Sequence, residues 1–369
     1  MDYFSDNMDS KTIKVAVVAV IALIIVAAAA FIIINNGDGN GGSEDERTVQ
    51  ITQNDGKVIE VAVPVQKLCI VNTNAAEFAT ILGVSDRVVG VSDTMIKTPT
   101  ESWWSSRANV GTYSEPSADA ILKTGSTVVV GQCTSMPIKN VEALEAQGIT
   151  VILLDMYGYE GQVDDLKQFA KLFPDTNASK VADKYSTFFN GIIDKIKSKT
   201  SGIADADRVS FISTMGTKAD SKYYTANAEL SGLLVNVCGM KNVAASLTTS
   251  ASASTMIGED AIVKEYNTNG IDMFILRNST SYDAAAADID SFLSTHPIIK
   301  AEGMFDEMKI VKTIDSKVLS GPRCFIGMVY FATTSNPSID FGLTLDGVIS
   351  DYNSQFGTNW SSEKLFYEA

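Results

Sequence analysis

The chain has 369 residues, 45 % of them apolar and 8 % aromatic, with a formal net charge of −15. This composition supports a large core and excludes wholesale disorder. The acidic balance argues against a nucleic-acid surface and against a face lying along anionic lipid.

Residues 15–34, VAVVAVIALIIVAAAAFIII, are uncharged and apolar throughout, long enough to span a bilayer as a helix. Lys11 and Lys14 precede them; Asp38, Glu44, Asp45 and Glu46 follow. By the positive-inside rule, residues 1–14 are cytoplasmic and the body lies outside. The competing reading is a cleaved signal peptide. Its apolar core is usually shorter, and cutting after the alanines at 27–30 would leave Phe31 and three isoleucines exposed. The anchor is favoured, and the glycine-rich residues 35–47 become a flexible tether.

Beyond the tether, TVQITQNDGKVIEVAV (48–63) alternates about an Asn-Asp-Gly turn, which predicts a hairpin. KLCIVN (67–72) reads as a short buried strand. NAAEFATILG (74–83) reads as a helix with an Asn74/Glu77 capping box. Further strands are expected at 86–92, 127–131 and 150–155, with helices at 117–124 and 138–147 between them. A second alternating run covers strands at 207–214, 271–276 and 308–314, and helices at 229–237, 259–267, 323–333 and 343–356. Strands alternating with helices predict an α/β architecture with largely parallel sheets.

Between the two runs, residues 176–199 carry Val181, Tyr185, Phe188, Ile192 and Ile196 at spacings of three and four. That is one face of a long helix. The expected organisation is an N-terminal lobe at 48–175, a rigid connecting helix at 176–200 and a C-terminal lobe at 201–369. DAILKTGSTVVV (119–130) is also echoed by DAIVKEYNTNGIDMFIL (260–276), as in two halves flanking a cleft.

The chemistry-bearing residues narrow the function. His296 is the only histidine, so a multi-histidine zinc site is excluded. No phosphate-binding glycine motif occurs, and no carboxylates stand out as an acid/base pair, so no enzyme activity is expected. Cys69, Cys133, Cys238 and Cys324 form no C-x-x-C pair; Cys69 and Cys238 lie in apolar runs as small buried hydrophobes. What remains is binding. The loops carry Trp103, Trp104, Arg107, Tyr113, Tyr223, Tyr224, Arg277 and Arg323. Aromatics with arginines suit a bulky, partly apolar ligand bearing anionic groups. The Trp103-Trp104 pair also has the ordinary reading of core or rim packing.

Four stretches, in order, carry a resemblance: 67–93, VGTYSEPSADAILKTGSTVVVG (110–131), YYTANAELSGLLVNVCGMKNVA (223–244) and LSGPRCFIGMVYFA (319–332). Together they resemble the class III substrate-binding proteins of ABC importers, which take ferric siderophores, haem or vitamin B12. The resemblance implies two α/β lobes joined by one long helix and small closure on binding. It implies ligand contacts from Tyr113, Tyr224 and Arg323, while Trp103, Trp104 and Arg277 rest on loop position. It implies acidic docking residues toward permease arginines at Asp119 and Asp260, with Glu259 as a possible substitute; the family usually has Glu there. The implied partners are an ABC permease with its ATPase, a small metal chelate or corrinoid, and the membrane through the N-terminal helix, with no cofactor and no nucleic acid. An iron(III) chelate of siderophore type ranks first, then a corrinoid such as vitamin B12, then haem, with bare ferric ion held by tyrosinates a further possibility. A cell-surface structural or adhesive protein is the rival from another class.

Overall fold

The computed structural model describes residues 47–134, 136–214, 222–225, 232–249, 254–277, 279 and 281–369. The apolar stretch 15–34 and the tether up to residue 46 lie outside these. No helix among the described residues is long and apolar enough to cross a membrane.

The chain enters on the expected hairpin. Strands β1 (Arg47–Thr52) and β2 (Val58–Val63) pair antiparallel, closing at Thr52 opposite Val58. Gly56 holds φ +81° in the turn, where a Cβ would be strained. Ile51, Val61 and Val63 point inward, as the alternation requires.

The first sheet is built from β3 (Leu68–Ile70), β4 (Val88–Val91), β5 (Ala108–Asn109), β6 (Val128–Gly131) and β7 (Thr150–Leu153). All pairs are parallel, in the order β5-β4-β3-β6-β7. Helices α1 (Thr73–Ile81), α2 (Asp93–Lys97), α3 (Ala118–Lys123), α4 (Val141–Glu145) and α5 (Gln162–Ala170) accompany it. The strut α6 (Ala178–Thr200) follows, burying Tyr185, Phe189, Ile192 and Ile196 with Val181 and Phe188 packed beside them. The spacing of three and four thus marked the correct face.

The second sheet contains β8 (Ser210–Ser213), β10 (Lys241–Asn242), β12 (Met273–Leu276), β13 (Lys309–Thr313) and β14 (Phe366–Glu368). It runs β10-β8-β12-β13-β14, parallel except for β14. Beside it, β9 (Tyr223–Thr225) and β11 (Ser254–Met256) form an antiparallel pair. Its helices are α7 (Glu259–Asn269), α8 (Ala285–Thr295), α9 (Pro297–Ala301), α10 (Met304–Glu307), α11 (Cys324–Ser335) and α12 (Leu345–Phe356). Of the helix expected at 229–237, the described part is a π-helical turn, Leu233–Val237.

Strand residues in both sheets alternate between two buried faces. Leu68, Ile70, Val128 and Val130 join one core, while Cys69 and Val129 join another. In the second sheet, Phe211, Met273, Ile275 and Val311 join that same first core, while Ile212, Phe274 and Ile310 face a third. Burial on both faces explains why these strands read as unbroken apolar runs. The lobes therefore share one core, which the strut lines from end to end.

One local expectation is corrected. Asn72, not Asn74, caps α1: its Oδ1 accepts from the Asn74 amide at 2.9 Å. Glu77 forms no capping box, because stronger partners hold its carboxylate elsewhere. His296 is a buried helix-end residue stacked on Phe292 at 3.9 Å.

Candidate functional site

The two parallel sheets turn their carboxyl ends toward each other. Tyr157, just past β7, hydrogen-bonds Arg277, just past β12. The Asn74 side chain, at the start of α1, lies against Gly321, beyond β13. A Cβ at Gly321 would meet Asn74 Oδ1 at 2.6 Å, and the residue holds φ +75°, so glycine is required twice over. The crevice beyond the carboxyl ends of parallel strands is where α/β proteins place ligands.

A buried charge cluster crosses this seam. Arg323 is 1 % exposed and Glu77 3 %. Arg323 Nε donates to Glu77 Oε2 at 3.0 Å, and Arg323 Nη2 to Asp315 Oδ2 at 2.7 Å. Lys317 donates to the same Glu77 carboxylate and to Thr100 Oγ1. The guanidinium sits 3.9 Å from the Trp360 ring centroid, a cation–π contact. Burial works to raise the Glu77 pKa, but the charges and hydrogen bonds of Arg323 and Lys317 bring it below its usual value. Both acceptors and one aromatic face are thus occupied, and Arg323 is an inter-lobe tie rather than a free ligand contact. The SGPR match located the residue, but its partner Glu77 was assigned to a local cap.

Three other aromatic expectations are placed differently by the structure. Tyr224 is fully buried against Phe274 in the core of the second lobe. Its neighbour Tyr223 is 49 % exposed, because adjacent strand residues point to opposite faces. Trp104 is fully buried; Trp103 packs on the same core and donates its indole N–H to Thr80 Oγ1 at 3.0 Å. The tryptophan pair is therefore packing, edge to face at 6.2 Å, and the large apolar area of the indoles is the reason.

Tyr113 stays on the surface, 39 % exposed. Its loop is pinned at both ends: Gly111 bridges Pro116, and the Ser117 amide donates to Val110 O at 2.8 Å. The neighbouring loop docks through the Lys139 amide to Ser114 O and carries the exposed Met136. On the other lobe, Met256 stands opposite Tyr223 across the β9–β11 pair, also exposed. Each lobe thus offers one tyrosine and one methionine. The methionines went unread in the sequence, where a lone Met carries no pattern. Arg277, just past β12, is 3 % exposed. Burial lowers its pKa, and Tyr157 acts in the opposite direction. Tyr157 was also unread, although YGY at 157–159 directly follows a buried strand.

At the end of β7, Asp155 accepts from the Cys133 amide at 2.7 Å and the Thr134 amide at 3.3 Å. Burial first, then the Asp155 charge, push the Cys133 thiol up to about 12. It stays protonated at neutral pH and is no nucleophile. All four cysteines are free, and Cys69 and Cys238 are buried as expected.

Of the expected docking acids, Asp119 and Asp260 are exposed in the first turns of α3 and α7. Ser117 caps α3 through the Ala120 amide, as the sequence implied. Glu259 is a correction. It is buried, accepting from the Ile298 and Ile299 amides at 2.9 and 3.2 Å, with Lys222 at 3.8 Å. It caps the N-terminus of α9, whose free amides attract a carboxylate, and so cannot substitute for Asp260.

No family model matches the sequence, and no curated protein does. Solved structures do match. A TroA-like periplasmic binding protein, FepB from Veillonella parvula, aligns with a TM-score of 0.66 at 12 % identity, over 86 % of this chain and 99 % of that one. CeuE of Helicobacter pylori, in a nickel–histidine complex, gives 0.61 at 17 %, over 86 % and 98 %. A periplasmic haem-binding protein from Pseudomonas aeruginosa gives 0.57 at 18 %, over 74 % and 94 %. The Veillonella and Pseudomonas proteins are described as periplasmic binding proteins. At such identities the likeness is one of fold: the chain has the two-lobed α/β fold of the TroA-like, class III periplasmic binding proteins that its sequence resembles.

Proposed function

We propose that the protein is an extracytoplasmic solute-binding protein, anchored by residues 15–34, that delivers an iron(III) chelate of siderophore type to an ABC importer. The observation that carries this reading is the contact between the two sheets: Tyr157, beyond β7, hydrogen-bonds the buried Arg277, beyond β12, and each lobe exposes a tyrosine and a methionine, Tyr113 with Met136 and Tyr223 with Met256. A guanidinium pairs well with carboxylate or hydroxamate oxygens, and aromatic and thioether rims suit the apolar backbone of a chelate. One neighbour binds haem and another holds nickel with histidine, so metal complexes suit the fold. Haem and corrinoids follow as alternatives, because a macrocycle edge would also fit between apolar rims. The test is a calorimetric panel of ferric chelates, corrinoids, haem and bare metals against the full chain in detergent. Saturable binding of a ferric chelate is expected. Tight binding of a corrinoid or haem with none for any ferric chelate would overturn the ligand, and binding of nothing in the panel would overturn the function.

Docking to the permease rests on Asp119 and Asp260, one on each lobe and both in solvent. The double change Asp119→Ala/Asp260→Ala is expected to leave solute affinity intact. It lowers binding-protein-stimulated ATPase activity of the reconstituted importer by about tenfold or more. A drop in affinity with ATPase stimulation unchanged would reverse the assignment.

A further inference from the structure

A polar cavity of about 350 Å³ is lined by none of the residues named in the seam. Its walls come from three parts of the fold. Tyr159 and Glu160 belong to the segment between β7 and α5, Lys197 and Ser201 to the end of the strut, and Arg208 and Asn236 to the second lobe. The cations are the unusual feature. On an acidic chain, neither Lys197 nor Arg208 has an ion-pair partner among the described residues. Arg208 Nε is buried with no hydrogen-bond acceptor. A nearby acid, Asp205, is already paired with Lys241 at 3.3 Å. Leaving a buried donor unmet is costly, so the site is arranged for an acceptor that the described residues do not supply.

The opposite wall is satisfied internally. Tyr159 OH donates to Glu160 Oε1 at 2.7 Å and accepts from Asn236 Nδ2 at 3.2 Å. This ties the single carboxylate to its own lobe and leaves two cations facing the cavity. Asn236 is carried by the π-helical turn, a geometry that often marks functional positions.

We infer that this cavity is a second binding site, for a small anion whose carboxylate or phosphate group is held by Arg208 and Lys197. The guanidinium fork takes two anion oxygens, and the ammonium adds a point charge. Because both lobes and the strut line it, an occupant touches all three.

The experiment is calorimetry on the full chain with inorganic phosphate in one arm and succinate in the other. Saturable binding of at least one anion is expected, weakening as ionic strength rises. Lys197→Gln/Arg208→Gln lowers that affinity by about tenfold or more. Arg277→Gln, in the seam, leaves it unchanged. Lys197→Gln alone, at an exposed position, gives a smaller loss and guards against a folding defect in the double variant. The arm that saturates identifies the anionic group. No saturation with either anion up to roughly 10 mM, or equal affinity in the wild-type and double-variant proteins, would overturn the site whatever the chelate panel shows.

Discussion

Glu77→Ala is expected to destabilise the protein by about 3–5 kcal/mol, lowering the thermal midpoint by roughly 4–7 °C. The carboxylate is 3 % exposed and compensates two cations contributed by the other lobe. Removing it leaves Lys317 and Arg323 partly uncompensated where water cannot reach Arg323, and leaving a charge unpaired costs more than making the pair gains. The combined change Glu77→Leu/Asp315→Asn/Lys317→Met/Arg323→Met should recover most of the loss, since it removes every charge of the cluster and with it the desolvation cost. A thermal midpoint for Glu77→Ala within a degree or so of wild type would show that the tie carries no weight.

The same cluster sets an acid limit. Burial raises the Asp315 pKa less than Arg323 and Lys317 lower it, so Asp315, like Glu77, is depressed in the folded state. A depressed carboxylate contributes its stabilisation in full above its unfolded pKa, about 4. That contribution fades as pH falls through the folded value. The tie is therefore intact at neutral pH and fails only in strong acid.

The second large effect concerns the ligand. Arg277→Gln is expected to weaken binding of the ferric chelate by roughly tenfold to a hundredfold, in line with the loss of one charge-assisted contact. Arg323→Gln should not act through ligand contact; its effect should appear as lost stability, because its partners are Glu77 and Asp315. Affinity and thermal midpoint measured together on both variants separate the two arginines. Unchanged chelate affinity in Arg277→Gln, with Arg323→Gln losing affinity at full stability, would exchange their roles.

The sequence shows this fold clearly and its site poorly, for physical reasons. Strands buried on both faces announce themselves as apolar runs, and the strut as a repeat of three and four. The strands β9, β11 and β14 were missed because three residues carry no period. The site depends on long-range pairing. Arg323 and Glu77 are 246 positions apart, so local reasoning gave one to a ligand and the other to a helix cap. Tyr223 and Tyr224 are adjacent in sequence but opposite in space, and only the register of β9 chooses between them. The positions read correctly as exposed, Tyr113, Asp119 and Asp260, lie where local turn and cap chemistry alone fixes the backbone.

The strut has a further consequence. It is one unbroken helix of 23 residues, about 34 Å long. Tyr185, within it, donates its hydroxyl to Pro322 O at 2.7 Å, beside the Glu77–Arg323 tie. Sheet, strut and seam share a single core. Such a body works as a gauge block rather than as a pair of jaws. If the proposed function holds, the spacing a cargo meets is set by a fixed length of helix rather than by a hinge. On that proposal, tolerance for cargoes of other sizes would reside in the exposed side chains Tyr113, Met136, Tyr223 and Met256. These can be exchanged without disturbing the scaffold that fixes the distance between them.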